Sequence, residues 1–487
     1  MKLRSEYKKL SIFILALCIQ IFLTFCFNRE FKELGEMWEV FAAIMSIFTL
    51  IYAIYVWGMF KFKILSPAFL FFIATYTLHL SLIILVGFNL REYKVIANVV
   101  LYTYSEQDCV YAILYCNWFL FMYISSYMIL KRNRLKENEY KKYGVDLNFT
   151  RKIGFIILGI SAPAMLYNNL IQIKTRMTIS YHDIYNIDTS FYGIPLGPLI
   201  NLFLPSLFFI LYSYNNNKKK FTYTSIVIIV YYTLYMLLTG AKINALVTII
   251  VIMVMYNYYF GIKLSLKMIL LAYIGAKVLV SVSAMRSDSG LGTTNVIQEF
   301  MNGFVKNDPI IELLNELGGT VLTPTLVMLA VRSGGGYLYG QSYLFGPIGS
   351  ILQGLRVTDY FSDKANMVKY LTDPERGYYI NSKTYAMGGS VIGEWYLNFG
   401  WLGIILVPLL VICIIKFEKI IFESTDNALN KVMSYCFLIS LIMYSRQYIT
   451  DLFWIAFYRY ASCYLIIKFI SKYTKSTCYK ETSKCNH

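Results

Sequence analysis

Charge and histidine are scarce in this sequence, and both shortages exclude classes of protein. Charged residues make up 15% of the 487 residues, whereas a soluble globular protein carries about 25%. Three histidines are too few for a histidine-rich metal site, and the nine cysteines form no CxxC pair. Most of these cysteines lie in apolar runs, where the thiol behaves as a small hydrophobic group. The sequence therefore indicates neither a soluble domain, nor a zinc site, nor a disulfide framework.

Hydrophobic residues are abundant by contrast. They make up 57% of the chain and recur in long runs, and a run of about 20 residues crosses a bilayer as a helix. The short alternating segments that are typical of an outer-membrane barrel do not occur. We predict an all-α polytopic membrane bundle of twelve spans. The spans are residues 10–27, 40–60, 64–88, 110–130, 153–173, 194–214, 223–239, 243–260, 264–285, 391–415, 432–445 and 452–470.

The net charge of +17 indicates membrane topology, not nucleic-acid binding. Basic residues concentrate at the N-terminus, after the fourth span, in "KKK" at 218–220 and from Lys472 onward. With twelve spans all of these segments lie on one side, and Lys and Arg favour the cytoplasmic side. We therefore predict cytoplasmic termini (N-in, C-in), anionic lipid beside the basic loops and no nucleic-acid partner.

The segment between the ninth and tenth spans is about 105 residues long, which is unusual for a structureless connection. We predict that it forms a helical cap outside the cytoplasm. Its apolar stretches, 309–317 and 321–331, are expected to be separate short helices, and the second is too short to cross the membrane. The predicted domains are a bundle at 1–285, the cap at 286–390, a second bundle part at 391–471 and a basic cytoplasmic tail at 472–487.

Five cations occupy positions where charge is costly. Lys277 and Arg459 lie inside the ninth and twelfth spans, and Lys242, Arg286 and Arg446 lie at span ends away from the basic loops. A charge at bilayer depth costs about 2.5–3.5 kcal/mol on insertion scales, so such residues are functional candidates. We predict a shared anionic ligand, because the planar fork of arginine suits a diphosphate. The alternative is that each side chain reaches lipid headgroups or pairs with a nearby acid.

The predicted cap offers further ligand-binding candidates. Arg332 precedes "SGGG", and Arg376 lies in "DPERGYY". Both are candidates for diphosphate or glycan binding, and their alternative role is solvated surface. Tyr339 and Tyr343 belong to "YLYGQSYLFGPIGS", and aromatic faces of this kind stack on sugar rings. The same composition also fits an interfacial aromatic belt.

The stretch "GGSVIGEWYLNFGWLG" (388–403) places one carboxylate at the start of the tenth span. Ser390 is the expected N-cap, and Glu394 follows in about the first turn, where the helix dipole stabilises negative charge. We predict that Glu394 is a general base, because a sugar hydroxyl attacking a glycosyl carbon must lose its proton to a positioned group. The alternative is an anchoring acid that pairs with an arginine. Three glycines are expected to flatten the helix for close packing, namely Gly393, Gly400 and Gly403.

These residues resemble a known family. "GGSVIGEWYLNFGWLGIIL" resembles the signature of the Wzy-type polymerases, which build O-antigen and capsule from oligosaccharide repeat units. The pieces "LLTGAKINALVTIIV", "YLYGQSYLFGPI" and "YSRQYITDLFW" are also similar to that family. The likeness covers residues 238–460 in patches.

The resemblance implies a GT-C-like glycosyltransferase of the bacterial cytoplasmic membrane that uses neither metal nor another cofactor. Such polymerases transfer a glycan from undecaprenyl diphosphate to the next lipid-linked repeat unit at the outer face. Matching motif positions imply a site that contains Glu394, Arg286, Arg446 and Lys242. A chain-length regulator and a flippase are partners that this resemblance suggests.

Two other classes stay open at this point. An O-antigen ligase shares the architecture but usually carries a loop histidine, and His182 precedes the sixth span instead of lying in the long segment. A flippase for lipid-linked oligosaccharides has similar length, but it should lack the long segment and show repeated halves. The family pattern of an arginine and a glycine separated by ten residues is not matched, since Arg376 and Gly388 are one residue too far apart.

Overall fold

The computed structural model describes most of the chain. The described residues are 2–33, 37–91, 106–131, 147–178, 190–191, 194–240, 242–262, 266–284, 296–306, 308–354, 360–361, 389–423 and 428–484.

These residues form α-helices and one short antiparallel strand pair, β1 (Ser190–Phe191) with β2 (Ile194–Pro195). The helices are α1 (Lys2–Glu33), α2 (Trp38–Met59), α3 (Pro67–Gly87), α4 (Glu106–Leu130), α5 (Leu147–Thr178), α6 (Gly197–Tyr212), α7 (Lys218–Thr239), α8 (Lys242–Phe260), α9 (Leu266–Ala284), α10 (Val296–Lys306), α11 (Pro309–Gly318), α12 (Leu322–Ala330), α13 (Gln341–Gly354), α14 (Val391–Phe399), α15 (Gly403–Glu423), α16 (Ala428–Tyr444) and α17 (Ile449–Lys484).

Local sequence signals begin and end several of these helices. At the start of α3 the Ser66 hydroxyl accepts a hydrogen bond from Phe69 N at 3.3 Å, and Pro67 takes the first helical position. The Asn217 side chain caps α7 in the same way, and α7 ends at Gly240, whose φ of 78° is left-handed.

Ten helices in the described part are long and apolar enough to cross a membrane. Nine of them fall on predicted spans. The other three predicted spans, 194–214, 264–285 and 432–445, fall on α6, α9 and α16, where the apolar helices are shorter. The prediction of an all-α, multi-pass membrane protein is therefore confirmed.

The tenth candidate, Pro309–Ala330, corrects the prediction for its segment. A single 3-10 turn, Gly319–Val321, joins α11 and α12 into one apolar helix of 22 residues. The two expected short helices are present as α11 and α12, but they are not separate, because the 3-10 turn after Gly318 continues the helical backbone without a break. Gly318 serves close packing, since a Cβ on it would lie 2.5 Å from Leu82 N of α3.

The chain divides into two compact units. Unit 1 consists of Met1–Lys136, Asp308–Lys419 and Leu441–Trp454, and unit 2 consists of Glu137–Asn307, Ile420–Ser440 and Ile455–His487. In unit 1, rings of different helices pack face to face, as Trp57 and Tyr127 do at 4.9 Å. In unit 2, α5 and α6 approach closely at Gly154, where a Cβ would lie 2.8 Å from the Ile210 side chain.

The tenth predicted span is broken near its start. α14 ends before Gly400, which has a φ of +55°, and α15 begins at Gly403 after one 3-10 turn. A Cβ on Gly400 would lie 3.0 Å from the Tyr337 ring, and a Cβ on Gly403 would lie 2.5 Å from Tyr115 OH. The glycines therefore allow the expected close packing, but the helix is not continuous, because the positive φ of Gly400 separates a short helix from the long apolar one.

Candidate active site

Two features fix the first turn of α14, the helix that carries the predicted base. Ser390 Oγ accepts a hydrogen bond from Gly393 N at 3.0 Å, which confirms Ser390 as the N-cap. Gly389 leaves no room for a side chain, because a Cβ there would lie 2.7 Å from the backbone carbonyl carbon of Gln447. α14 therefore starts in backbone contact with the turn at 445–448, which links α16 to α17.

Glu394 is fully buried, with 0% of its surface exposed. Its Oε2 accepts hydrogen bonds from Ile449 N at 3.0 Å and from Tyr444 OH at 3.4 Å. Its Oε1 makes no hydrogen bond of normal geometry to a described residue, and the Ser342 side chain lies beside the carboxylate. One oxygen is thus held where α16 ends and α17 begins, and the other can accept a proton without loss of these contacts.

Asn398, one turn further along α14, ties the backbone of Glu394 to α13. Its Nδ2 donates to Glu394 O and to Ser342 Oγ, each at 2.7 Å. Its Oδ1 accepts from Ser342 N at 3.3 Å. Because this amide makes three hydrogen bonds in the interior, it holds the two helices in one relative position.

Tyr343 of α13 lies against the same helix. Its ring stacks on Phe399 with centroids 5.6 Å apart and meets Trp395 edge-on at 5.4 Å. Burial raises the pKa of the Tyr343 phenol well above its usual range, with further contributions from Tyr444 and Glu394. The phenol therefore stays protonated at neutral pH and acts as a hydrogen-bond donor, with Tyr444 beside it.

Arg446 lies in the turn between the two residues that hold Glu394. Its side chain is partly buried, and its guanidinium makes no hydrogen bond or ion pair with any residue that the structure describes. Arg446 lies within electrostatic range of His79. It is thus a cation of unit 1 with no described anion to neutralise it.

His79 of α3 also contacts Ser390, the N-cap residue of α14. Its Nδ1 lies 2.8 Å from Thr75 O, and its Nε2 lies 2.7 Å from Ser390 Oγ. A carbonyl oxygen only accepts hydrogen bonds, so Nδ1 carries a proton, and in neutral His79 the Nε2 atom accepts from the Ser390 hydroxyl. The sequence places His79 in a span, but only the structure joins it to Ser390.

The predicted lysines of unit 2 donate to backbone carbonyls. Lys242 Nζ donates to Leu279 O at 3.1 Å. Lys277 Nζ donates to Phe304 O at 2.8 Å and lies 5.5 Å from the centre of the Phe304 ring. An ammonium group has three donors, so Lys277 can bind a further acceptor besides Phe304 O.

Arg459 of α17 is the predicted arginine of unit 2. Its Nε is buried and makes no hydrogen bond to a described residue. Its electrostatic neighbours in unit 2 are the phenol of Tyr232 and the thiols of Cys436 and Cys463. None of these is a carboxylate, so they supply no permanent negative charge to the guanidinium.

The candidates from the predicted cap differ in exposure and pairing. Arg332 donates to Asp108 Oδ2 at 2.6 Å, and Asp108 is buried. Tyr339 is 80% exposed, has a φ of +49° and meets Tyr337 edge-on at 6.1 Å. Arg332 is therefore tied to unit 1, whereas Tyr339 presents its ring outward.

Among the predicted catalytic residues, Glu394 and Arg446 both belong to unit 1, and Arg446 lies in the turn between Tyr444 and Ile449, which hold the carboxylate. Arg286 and Arg376 lie outside the described residues. Their assignment therefore stays a prediction.

Sequence reasoning missed several residues that position the carboxylate. Asn398 had a local signal, because it lies four residues after Glu394 in an apolar run and so shares its helix face. No local sequence signal pointed to Tyr444 and Ile449, since their contact with Glu394 joins segments about 50 residues apart. Ser342 is separated from Asn398 by 56 residues.

The fold and this geometry define a multi-pass membrane protein with a buried carboxylate and, in the same unit, an arginine that has no ionic partner among the described residues. Residues 10–477 match the family described as O-antigen polysaccharide polymerase Wzy, and the chain belongs to that family. It is therefore a multi-pass protein of the bacterial inner membrane that acts in polysaccharide biosynthesis. The family implies glycosyltransferase-type polymerisation of lipid-linked oligosaccharides. No curated protein and no solved structure matches the chain.

Proposed function

We propose that this polymerase joins repeat units carried on undecaprenyl diphosphate, at the outer face of the cytoplasmic membrane. The observation that carries the proposal is the Glu394 carboxylate, which is fully buried with one oxygen held and the other unpaired among the described residues. A buried ionisable group is costly, and perturbed groups of this kind concentrate at functional sites. The basic segments predicted on the cytoplasmic side support the outer-face assignment.

The proposed reaction is a glycosyl transfer between two lipid-linked glycans. A hydroxyl oxygen of the acceptor sugar attacks the anomeric carbon of the donor, and the bond from that carbon to the diphosphate oxygen breaks. The electron pair of that bond leaves with the diphosphate. Glu394 Oε1 accepts the proton of the attacking hydroxyl, while Ile449 N and Tyr444 OH hold the other oxygen in place.

The departing diphosphate gains negative charge, which a nearby cation stabilises. We assign this role first to Arg446, because it shares unit 1 with Glu394 and its guanidinium has no described partner. The motif position of Arg286 supports the same role for that residue. Since arginine supplies the positive charge in this assignment, the reaction proceeds without a divalent metal ion.

The cations of unit 2 are proposed ligands for the lipid diphosphate. Arg459 is the strongest candidate, because its neighbours are neutral phenol and thiol groups. Lys277 keeps N–H groups beyond the one given to Phe304 O, and Lys242 is the further cation at a span end. Three cations in spans or at span ends would hold a substrate that is itself anchored in lipid.

The glycan ligands are proposed to come from the segment that precedes α14. Tyr339 and Tyr343 supply aromatic rings, and Arg332 and Arg376 supply charged donors. The exposure of Tyr339 supports contact with a glycan, since 80% of its surface is accessible. Its positive φ is also costly for a non-glycine residue, and such strain is frequent at ligand sites.

The test is polymerisation by the purified full-length protein in liposomes, with undecaprenyl-diphosphate-linked repeat units extracted from producing cells. We expect a ladder of products in the presence of EDTA, and a rate about 100-fold or more lower for Glu394→Gln. Glu312→Gln is the control, because it removes a carboxylate whose described partner is Arg91 in a partly exposed ion pair. A normal ladder from Glu394→Gln would contradict the base assignment. Loss of the ladder in EDTA with recovery in Mg²⁺ would contradict the metal-free reaction.

A further inference from the structure

Four buried polar atoms lie in the segments where α13, α14 and α17 meet, and none makes a hydrogen bond of normal geometry to a described residue, although Tyr444 lies beside the Tyr343 phenol and Ser342 beside the Glu394 carboxylate. They are Glu394 Oε1, Tyr343 OH, Gln447 Oε1 and Thr450 Oγ1. Only the first two belong to residues with a role assigned above.

Direct contacts join the segments that carry these atoms. A Cβ on Gly346 of α13 would lie 2.9 Å from Thr450 Oγ1, and a Cβ on Gly389 would lie 2.8 Å from the Cα of Gln447. Ile449 N, between Gln447 and Thr450, donates to Glu394 Oε2 at 3.0 Å. All of these segments belong to unit 1. The unpaired atoms therefore belong to one junction of the fold.

Unpaired polar atoms are expensive in a protein interior. More than 90% of buried polar groups have a hydrogen-bond partner, and an apolar side chain of the same shape avoids the cost of an unpaired one. Packing alone would be served as well by Val in place of Thr450, or by Met in place of Gln447. Four unpaired atoms at one junction therefore indicate groups that a ligand pairs.

The chemistry of the four atoms selects the ligand class. A hydroxyl, an amide oxygen, a protonated phenol and one carboxylate oxygen offer both donors and acceptors at this junction of segments. Such a set suits a ring with several hydroxyl groups. A phosphate is a poor match, since the carboxylate would repel it and the cation Arg446 lies outside this set.

We propose that Gln447 and Thr450, with Tyr343, bind the hydroxyl groups of the acceptor sugar ring and present its attacking hydroxyl to Glu394 Oε1. The inference rests on the proposed glycosyl transfer and assigns a sugar subsite to the same centre. Gln447 and Thr450 are substrate-binding residues in this assignment, and Glu394 alone takes the proton.

The experiment measures sugar binding without turnover. The probe is the free repeat-unit oligosaccharide, released by mild acid from the lipid-linked material and added to full-length Glu394→Asp protein in detergent. Saturation-transfer NMR gives the Kd. Gln447→Met, Thr450→Val and Tyr343→Phe each remove a polar group with little change of shape. Each is expected to raise the Kd about threefold to tenfold, the loss typical of one hydrogen bond.

Matched controls separate ligand binding from folding. Ser161 and Ser225 of unit 2 also carry buried hydroxyls without a described partner. Ser161→Ala and Ser225→Ala are expected to leave the Kd unchanged. Thermal unfolding should give an equal or higher midpoint for the controls and for the three test variants, because each change removes an unpaired polar group.

An unchanged Kd in the three test variants, with a raised unfolding midpoint, would overturn the sugar subsite. Thr450→Ser keeps the hydroxyl that Thr450→Val removes, so its Kd is expected to equal that of the protein with Thr450. A Kd as high as that of Thr450→Val would also count against the subsite. A fully active Glu394→Gln enzyme beside weakened binding in Gln447→Met would instead remove the base assignment and leave the subsite intact. If Gln447→Met or Thr450→Val does not fold, Tyr343→Phe decides the question, since it deletes a single oxygen atom.

Discussion

Among the described residues of unit 1, two glutamates are buried, one on α14 and one on α15, and their surroundings differ. Glu418 accepts from Lys131 Nζ at 3.0 Å and from Tyr127 OH at 3.0 Å, so an ion pair neutralises it. Glu394 accepts from a backbone N–H and a phenol, keeps one unpaired oxygen, and makes no ion pair with a described residue.

The difference distinguishes a carboxylate that stabilises the fold, Glu418, from one that is available for catalysis, Glu394. Lys131 is also tied to α1, because its carbonyl accepts from Lys9 Nζ at 2.9 Å. Glu418 therefore belongs to a network that holds helices together, in which all partners are protein groups. Glu394 has half of its acceptor capacity left over, and a proton or a substrate hydroxyl can use it.

The largest expected effect concerns stability at Glu418. Glu418→Gln leaves the buried Lys131 without its counter-charge, and breaking a buried pair costs about 3–5 kcal/mol. We expect a fall of this size in the free energy of unfolding, with little change in the polymerisation rate of the folded protein. Adding Lys131→Met should recover most of the stability. Unchanged stability in the single variant would mean that the pair does not support the fold.

The next effect concerns the leaving group. Arg446→Gln removes the unpaired cation of unit 1, and loss of one such electrostatic contact lowers kcat about 100-fold or more. Thermal unfolding should change little, because the guanidinium has no described protein partner to lose. Single-turnover kinetics at saturating substrate measures this effect. A loss of stability with an unchanged kcat would indicate a structural arginine instead.

The comparison of Glu394 with Glu418 also bears on how much of the fold and of the candidate site the sequence predicts. Apolar runs predict nearly every helix because the bilayer imposes length and composition on each segment separately. Ser390 and Glu394 were predictable for a similar reason, since capping and position in the first turn are local properties. These features depend only on neighbours in the chain.

The remaining features depend on contacts between distant segments. Residues 309–317 and 321–331 look like two separate helices in the sequence, but a 3-10 turn joins them, and Gly318 beside that turn packs against α3. Gly400 looks like a packing position, yet its positive φ breaks the helix. Lys242 and Lys277 look free for a ligand, but helix carbonyls already accept from both.

A smaller effect is expected at the N-cap of α14. Ser390→Ala removes the acceptor for Gly393 N and the contact to His79, and loss of an N-cap costs about 1 kcal/mol. We expect a matching fall in the free energy of unfolding and a modest fall in kcat. Ser390→Thr should restore both quantities, because threonine also caps helices. Equal values for Ser390→Ala and the wild type would show that the cap does not position Glu394.

The smallest effect is expected at Tyr444. Tyr444→Phe removes one of the two donors to Glu394 Oε2 and leaves Ile449 N in place. Because a neutral hydrogen bond contributes about 0.5–1.5 kcal/mol, kcat should fall about threefold to tenfold. A 100-fold loss would instead assign the phenol a direct part in proton transfer.

The most direct measurement is the single-turnover rate of the first glycosidic bond, compared between the two buried glutamates. Glu394→Gln and the charge-balanced double variant Glu418→Gln/Lys131→Met are assayed with the same lipid-linked repeat units. We predict a rate at least about 100-fold below wild type for Glu394→Gln, and a rate close to wild type for the double variant. Equal rates for the two proteins would contradict the assignment of Glu394 as the base.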